Sequence, residues 1–160
     1  MSARALILVL SLAAAAAASA KDLAPCKGEL SGAVKGTFRC AVEVRDGGDG
    51  VVTLGVTALE PVAGVQSLAP GGFQLPGPLK ARTYTLADVV NGRVAVIAAD
   101  GVLYSATRTT GTRGEATLAL REVKRLAQPA GAWAVRGRLE ARLKPSGSPR
   151  ADEIVLVVEF

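Results

Sequence analysis

Apolar and polar residues alternate along much of the chain with a period of two. Residues 34–44 place valine, phenylalanine and cysteine on even positions and mostly polar residues on odd positions. Residues 133–143 repeat the pattern, with arginines and a glutamate on the opposite phase. This period is that of a half-buried β-strand, whose successive side chains point to opposite faces. Cys40 shares the apolar phase of its strand, so we expect it to face the core.

Turn-forming residues separate these strands from others. Asp46-Gly-Gly-Asp-Gly50 ahead of the alternating segment 51–58 predicts a hairpin, and the same loop supplies too few oxygens for a calcium site of its own. The pairs Asn91-Gly92 and Asp100-Gly101 predict type I′ turns. Prolines and glycines make residues 59–72 a predicted loop and restrict 73–79 to an edge strand or a non-strand segment. Further strands are expected at residues 81–89, 94–99, 102–108, 115–123 and 154–160.

The pattern favours an all-β fold. After residue 20 no stretch of twelve residues spaces its apolar positions three and four apart, so we expect little or no helix. Seven to nine antiparallel strands with short connections are typical of a sandwich or a barrel, and we expect a β-sandwich, jelly-roll-like or Greek-key. The length of 160 residues, less a leader of 20, suits one such domain over residues 21–160.

The first twenty residues have the pattern of a secretory signal peptide. Arg4 precedes an apolar run over residues 5–17, and Ala18-Ser19-Ala20 offers small residues for cleavage. A run of about thirteen residues is too short to span a bilayer as a helix. No cysteine directly follows the small residues, so a lipid anchor has no attachment point. We therefore expect an exported protein, periplasmic or extracellular, with no transmembrane helix after cleavage.

The two cysteines, Cys26 and Cys40, predict a disulfide bond. Exported proteins meet an oxidising environment, and the chain has neither a C-x-x-C motif nor the histidines that a metal site with two cysteines needs. The bond would join the N-terminal segment to the first long strand.

Composition removes most catalytic mechanisms. The chain contains no histidine, which excludes Ser-His-Asp and Cys-His nucleophiles and histidine-based metal centres. The glutamates at 43, 115 and 140 fall on the polar phases of their strands, so no inward-facing carboxylate pair is evident. We expect no enzymatic activity, no cofactor and no metal.

The basic residues give the sharpest functional expectation. Without the leader the side chains carry 18 positive and 14 negative charges, a balance of +4. Arginines on the outer phase of residues 133–143 could merge with cations on the first long strand into one surface for an anionic polymer, or for another exported protein. Pairing with Glu43 and Glu140 across strands is the alternative reading. The candidate binding residues are Lys35, Arg39, Arg136, Arg138 and Arg142.

The segment from Gly36 to Cys40, read as Gly-Thr-Phe-x-Cys, is followed by hairpins and an apolar last strand ending in phenylalanine. In this pattern the chain resembles small exported β-sandwich proteins of GC-rich bacteria. The resemblance implies export and a β fold, and no particular activity.

The last strand raises an alternative. Ile154, Leu156, Val158 and the terminal Phe160 resemble the closing strand of a small outer-membrane β-barrel. Membrane barrels carry aromatic girdles and a polar interior, whereas aromatic residues make up 4% of this chain and Val155 and Val157 occupy the phase meant for that interior. The sequence thus predicts a non-catalytic exported binding domain, with a membrane barrel as the alternative.

Overall fold

The computed structural model describes residues 23–108, 112–147 and 152–160, and in these residues the protein is all-β and antiparallel, with no helix. The predicted leader over residues 1–20 lies outside them. Among the residues described, no helix is long and apolar enough to cross a bilayer. The strands are β1 (Ala24–Gly32), β2 (Gly36–Gly48), β3 (Val51–Ala58), β4 (Val65–Pro76), β5 (Thr83–Thr85), β6 (Asn91–Ala98), β7 (Leu103–Arg108), β8 (Thr112–Arg113), β9 (Glu115–Arg125), β10 (Trp133–Ser146) and β11 (Ile154–Glu159).

Eight of these strands close into a barrel. The order β10-β11-β1-β2-β3-β4-β6-β7 returns to its start because the end of β10 pairs with β7, where Lys144 lies opposite Ser105 and Ser146 opposite Leu103. The expected sandwich is therefore not confirmed, although the all-β antiparallel class is. A sandwich would leave two sheets with free edges, whereas this pairing joins the sheet to itself.

The strand β10 changes its neighbour along its length. Its residues 144–146 pair with β7, whereas its residues from Trp133 to Arg142 pair with β9. We call the β7–β10 pairing the seam of the barrel. The strand β5 pairs with the far side of β9, and the short β8 pairs with β7. The chain turns at Gly114, between β8 and β9, where β7 and β10 leave no room for a side chain. A Cβ at this position would lie 2.6 Å from the carbonyl oxygen of Arg142 and 2.7 Å from that of Ser105.

The barrel interior is filled by side chains. The apolar phases of the alternating strands point inward, and the described residues that are buried are apolar except for Ser105. Gly28 shows how tightly they pack, because the ring of Phe38 on the neighbouring strand occupies the space of a side chain at position 28. Eight strands enclose just enough room for such a core. The largest fully buried side chains include Tyr84, Tyr104, Leu30, Leu54, Leu139, Leu143, Ile154 and Leu156.

One predicted loop is a strand. Residues 65–76 form β4, which pairs with β3 and β6, although Pro70 and two glycines gave this stretch the composition of a loop. The register of β4 against β6 shifts between Ala69 and Gly72, and such a bulge accommodates the proline that a regular central strand would exclude. Asn91 and Gly92 were expected in a tight turn but begin β6, opposite Gln74 and Phe73.

The connection from β4 to β6 closes one end of the barrel. Within residues 77–90 the side chains of Leu79, Tyr84, Leu86 and Val89 are buried against the core. Arg108, at the end of β7, holds this segment: its Nη1 donates to the carbonyl oxygens of Leu86, at 3.1 Å, Ala87 and Val89. The guanidinium thus bridges β7 and the segment after β5 where no strand pairing joins them.

The predicted disulfide is confirmed. Cys26 on β1 lies directly opposite Cys40 on β2, with the Cα atoms 4.8 Å apart and an S–S bond of 2.05 Å. Both cysteines are buried, in agreement with the inward phase of Cys40.

Removal of this bond lowers stability. We expect the Cys26→Ala/Cys40→Ala variant to lose roughly 3 kcal/mol of unfolding free energy, because a closed loop of about fifteen residues restricts the unfolded chain by that amount. Urea titration of parent and variant measures the difference. The parent in the presence of reductant is the control and should move toward the variant. A variant as stable as the oxidised parent would contradict the prediction.

Candidate functional site

The five cations expected to bind an anionic polymer lie on the outer surface, but they do not form one patch. Arg136, Arg138 and Arg142 project from β10, Arg39 projects from β2, and Lys35 lies in the turn that precedes β2. Two strands, β11 and β1, separate β10 from β2. We call the outer surface of β10, β11, β1 and β2 the arginine face.

Carboxylates neutralise most of the arginine face. The backbone N–H of Arg39 donates to Oε1 of Glu60 at 2.8 Å, and its Nε donates to Oε2 at 3.1 Å. Arg138 donates to Glu159 at 2.6 Å and to Glu140 at 3.3 Å, and Arg136 lies 3.7 Å from Glu122. Pairing with Glu140 across strands was the alternative expectation, but Glu140 pairs with Arg138 on its own strand, and Glu159 and Glu60 were not foreseen. Glu43 pairs with Arg45 on its own strand.

A row of three cations and one carboxylate crosses the arginine face. The strand register aligns Arg39, Lys27, Glu159 and Arg138 across β2, β1, β11 and β10. The shallow groove over this row has a volume of about 590 Å³ and is lined by as many carboxylates as cations, three of each, with Glu29 and Glu60 beside Glu159. The hydrogen bonds to Glu159 and Glu140 raise the pKa of Arg138 above its usual value. This groove carries no net charge with which to attract a polyanion.

The Arg39–Glu60 contact makes a prediction about pH. The backbone N–H and then the guanidinium of Arg39 lower the pKa of Glu60, so the folded protein binds fewer protons there than the unfolded chain. The contribution of Glu60 to stability is therefore fully present near neutral pH and lost as the pH falls through the lowered pKa. We expect Glu60→Gln to be less stable than the parent at pH 7 and equal to it near pH 2, as measured by urea midpoints. A difference that does not change with pH would contradict this.

A second groove, of about 450 Å³, lies on the opposite stretch of the barrel wall, across β2, β3, β4 and β6. Its centre is a row in which Glu43, Gly55, Gly72 and Arg93 are aligned by the strand register. The two glycines are directly opposite each other on β3 and β4, and their outward positions leave the backbone bare. We call this groove the glycine trough.

Polar side chains line one flank of the glycine trough. The neighbouring row aligns Arg45, Thr53, Gln74 and Asn91 on the same outer surface. Arg45 forms an ion pair with Glu43 at the β2 end. At the β6 end, Arg93 is exposed, and among the described residues no carboxylate pairs with it. One carboxylate and two guanidinium groups leave this groove with a formal charge of +1.

The glycine trough continues toward β7. A groove of about 320 Å³ shares Gly72 and Arg93 with it and passes over Ala69 and Ala95 to Leu103. The floor of this extension is again made by small side chains. The two grooves together form an open channel across five strands of the outer wall.

The Asp46 turn has a structural role. Oδ2 of Asp46 accepts from Arg125 at 2.6 Å, and Oδ1 accepts from the indole N–H of Trp133 at 2.7 Å. These bonds tie the β2–β3 hairpin to the β9–β10 hairpin. Within the described ranges, no group of three or more side chains of the metal-binding types comes together.

The glycine trough was not foreseen from the sequence. Gly55 stands on the outer phase of an otherwise regular strand, which is a visible signal, but Gly72 lay in a stretch expected to be a loop. The register between β3 and β4 is what brings the two together. Comparison of the chain with protein-family models, curated proteins and solved structures finds no match.

Proposed function

We propose that this protein is an exported, non-catalytic binding domain that holds an anionic polymer on the outer wall of its barrel. The observation that carries the proposal is the separation of apolar and charged groups. The interior is filled with apolar side chains, whereas each described Asp, Glu, Lys and Arg is at least partly exposed on the outside. A ligand held by charged groups would therefore bind on the outer surface, and the side chains after the leader carry more positive than negative charge.

The absence of catalysis is part of this proposal. Active sites depend on buried or crowded ionisable groups with strongly shifted pKa values. Here each described Asp, Glu, Lys and Arg is at least partly exposed, and the shifted pKa values of Glu60, Asp88 and Arg138 arise from hydrogen bonds with neighbours on the surface. Export rests on the leader pattern of residues 1–20, and the disulfide is compatible with an oxidising compartment.

The charge distribution also favours this proposal over the outer-membrane alternative. A lipid-facing wall needs an apolar outer band, but the middle of β10 presents Arg138, Glu140 and Arg142 outward. The terminal Phe160 exchanges backbone hydrogen bonds with Gly137 and packs partly against the core. Fractionation of cells that express the full chain separates the two proposals: we expect the protein in the aqueous fraction, and recovery in the outer membrane alone would contradict the binding domain.

Retention on heparin–agarose tests binding to an anionic polymer. We expect the purified protein to be retained at low salt, to elute as salt is raised, and to flow through uncharged agarose, because screening weakens exposed charge interactions. An Arg136→Ala/Arg138→Ala/Arg142→Ala variant measures the share of the arginine face. Flow-through of the parent at low salt would contradict polyanion binding.

A further inference from the structure

Neither a close neighbour nor a positive φ requires glycine at two positions of the glycine trough. A Cβ built on Gly55 or on Gly72 would meet no atom within 4 Å, and neither residue has a positive φ. The adjacent Gly71 differs, since its Cβ would lie 3.0 Å from side-chain atoms of Leu139 and Phe73. A glycine inside a strand costs roughly 0.5–1 kcal/mol relative to alanine. The fold thus gives up stability at two positions that face each other on the outside.

A glycine inside a strand marks a bulge, a tight bend or a place where a ligand or another backbone approaches closely. The bulge of β4 ends at Gly72, but Gly55 is regularly paired on both sides, so a bulge does not explain Gly55. The row from Glu43 to Arg93 crosses four strands, or roughly 14 Å at the usual strand spacing. The flanking row adds the hydroxyl of Thr53 and the amides of Gln74 and Asn91, which both donate and accept hydrogen bonds. This size and chemistry suit a short stretch of a hydroxyl-rich chain laid across the strands.

We propose that the glycine trough binds a carboxylated polysaccharide, with Arg93 pairing with a carboxylate and a sugar ring lying on the bare backbone of Gly55 and Gly72. The inference rests on the proposed binding of an anionic polymer and names its site and ligand class. Because no described carboxylate pairs with Arg93, its guanidinium can make the two parallel hydrogen bonds that a carboxylate accepts. Phe73 is the one aromatic residue among the described residues that line this groove, and it is buried in the core, so charge and hydrogen bonds hold the ligand rather than stacking.

The open ends of the channel favour a polymer over a small ligand. Gly72 and Arg93 belong to both grooves, and the second one continues over Ala69 and Ala95 to Leu103 on β7, so the combined surface is longer than one sugar unit. Sugar units beyond the first carboxylate would lie on these small apolar residues. An acidic peptide is the competing occupant, and the experiment below separates the two.

The test measures affinity for hexagalacturonate by calorimetry, with protein expressed from the full coding sequence. We expect Arg93→Gln to weaken binding at least tenfold and Gly55→Thr/Gly72→Thr to abolish it. The double threonine variant should also unfold at a higher temperature than the parent, because β-branched residues favour strands. Loss of binding therefore cannot come from misfolding. The matched control is Arg121→Gln, which removes an exposed cation of β9 that lies outside both grooves and outside the arginine face and has no carboxylate pair among the described residues; it should bind within twofold of the parent.

Other results would overturn the inference in distinct ways. Parental affinity in the double threonine variant would remove the trough as the site. Loss of binding in the Arg136→Ala/Arg138→Ala/Arg142→Ala variant but not in Arg93→Gln would keep the polyanion function and move it to the arginine face. Binding of polyglutamate but not of hexagalacturonate would replace the polysaccharide with an acidic peptide. No binding of hexagalacturonate, heparin or polyglutamate by the parent would contradict the proposed function itself.

Discussion

Replacing Gly114 with alanine lowers the unfolding free energy by about 3–5 kcal/mol, through backbone strain and overpacking together. The added methyl would lie 2.6 Å from the carbonyl oxygen of Arg142 and 2.7 Å from that of Ser105, and the φ of +63° already disfavours a side chain. These neighbours belong to the backbones of β10 and β7, so they cannot turn aside as a flexible side chain would. Relief requires β7 and β10 to separate at the seam that closes the barrel.

Gly101→Ala is the matched control for Gly114→Ala. Gly101 also has a positive φ, of +82°, but no atom lies within 4 Å of its Cβ position. We expect it to lose only about 1 kcal/mol, from the conformational strain alone. Urea unfolding of the two variants separates strain from collision. Equal losses would show that the seam is not closed as tightly as the geometry implies.

We expect Arg108→Ala to lower the free energy of unfolding by about 4 kcal/mol, because the two N–H protons of Nη1 are shared among three carbonyl oxygens and each hydrogen bond to a charged group contributes roughly 1.5–3 kcal/mol net. The carbonyls belong to Leu86, Ala87 and Val89, in the segment that closes one end of the barrel. We expect fast hydrogen exchange at the amides of residues 77–90 in the variant, while β1 and β2 stay protected.

Arg108→Lys tests the geometry of the contact. Lysine keeps the charge, but its ammonium nitrogen lies one bond closer to the backbone than Nη1 and is not held in the plane of a guanidinium. We expect it to recover less than half of the lost stability. If lysine restores the parental stability and exchange pattern, the charge alone holds the segment and the position of Nη1 is irrelevant. If alanine costs less than 1 kcal/mol, the segment is held by the burial of its apolar side chains.

Strands with strict alternation were predictable because half-burial leaves a direct trace in the residue pattern. The segments that became β2, β3, β9 and β10 all carry it, and the inward phase of Cys40 follows from the same trace; β11 was predictable from its run of apolar residues instead. The strand β4 could not be found this way. Its Pro70, Gly71 and Gly72 have the composition of a loop, and the bulge that lets them sit in a sheet is a property of the paired strands.

The closure of the sheet into a barrel could not be predicted from the sequence, for a different reason. It depends on the last residues of β10, where Lys144, Pro145 and Ser146 pair with β7 after a strand whose earlier part pairs elsewhere. A proline in this position argues against a strand when the sequence is considered alone. A sandwich and a barrel have the same alternation, so only the pairing distinguishes them.

The candidate binding residues show the same limit. Their outward phase on β10 was predictable, but neutralisation of Arg39 depends on Glu60, which reaches it from the connection between β3 and β4. Conversely, Arg93 could not be predicted as a binding residue, because its row becomes a groove only when Gly55 and Gly72 are placed side by side. The side of a strand on which a residue lies follows from the local sequence. The charge balance and the shape of the surface depend instead on neighbours that are distant in the chain.

The most direct test of the account is an amide NMR titration of the labelled protein with hexagalacturonate. If the ligand lies on the outer wall as proposed, shifts should concentrate at Gly55, Gly72 and Arg93 and leave the arginine face, including Arg138, unchanged. Glycine amides resonate in a sparse region of the spectrum, so the two floor residues report clearly. Shifts confined to β10 and β11, or no shifts at any ligand concentration, would contradict the glycine trough as the binding site.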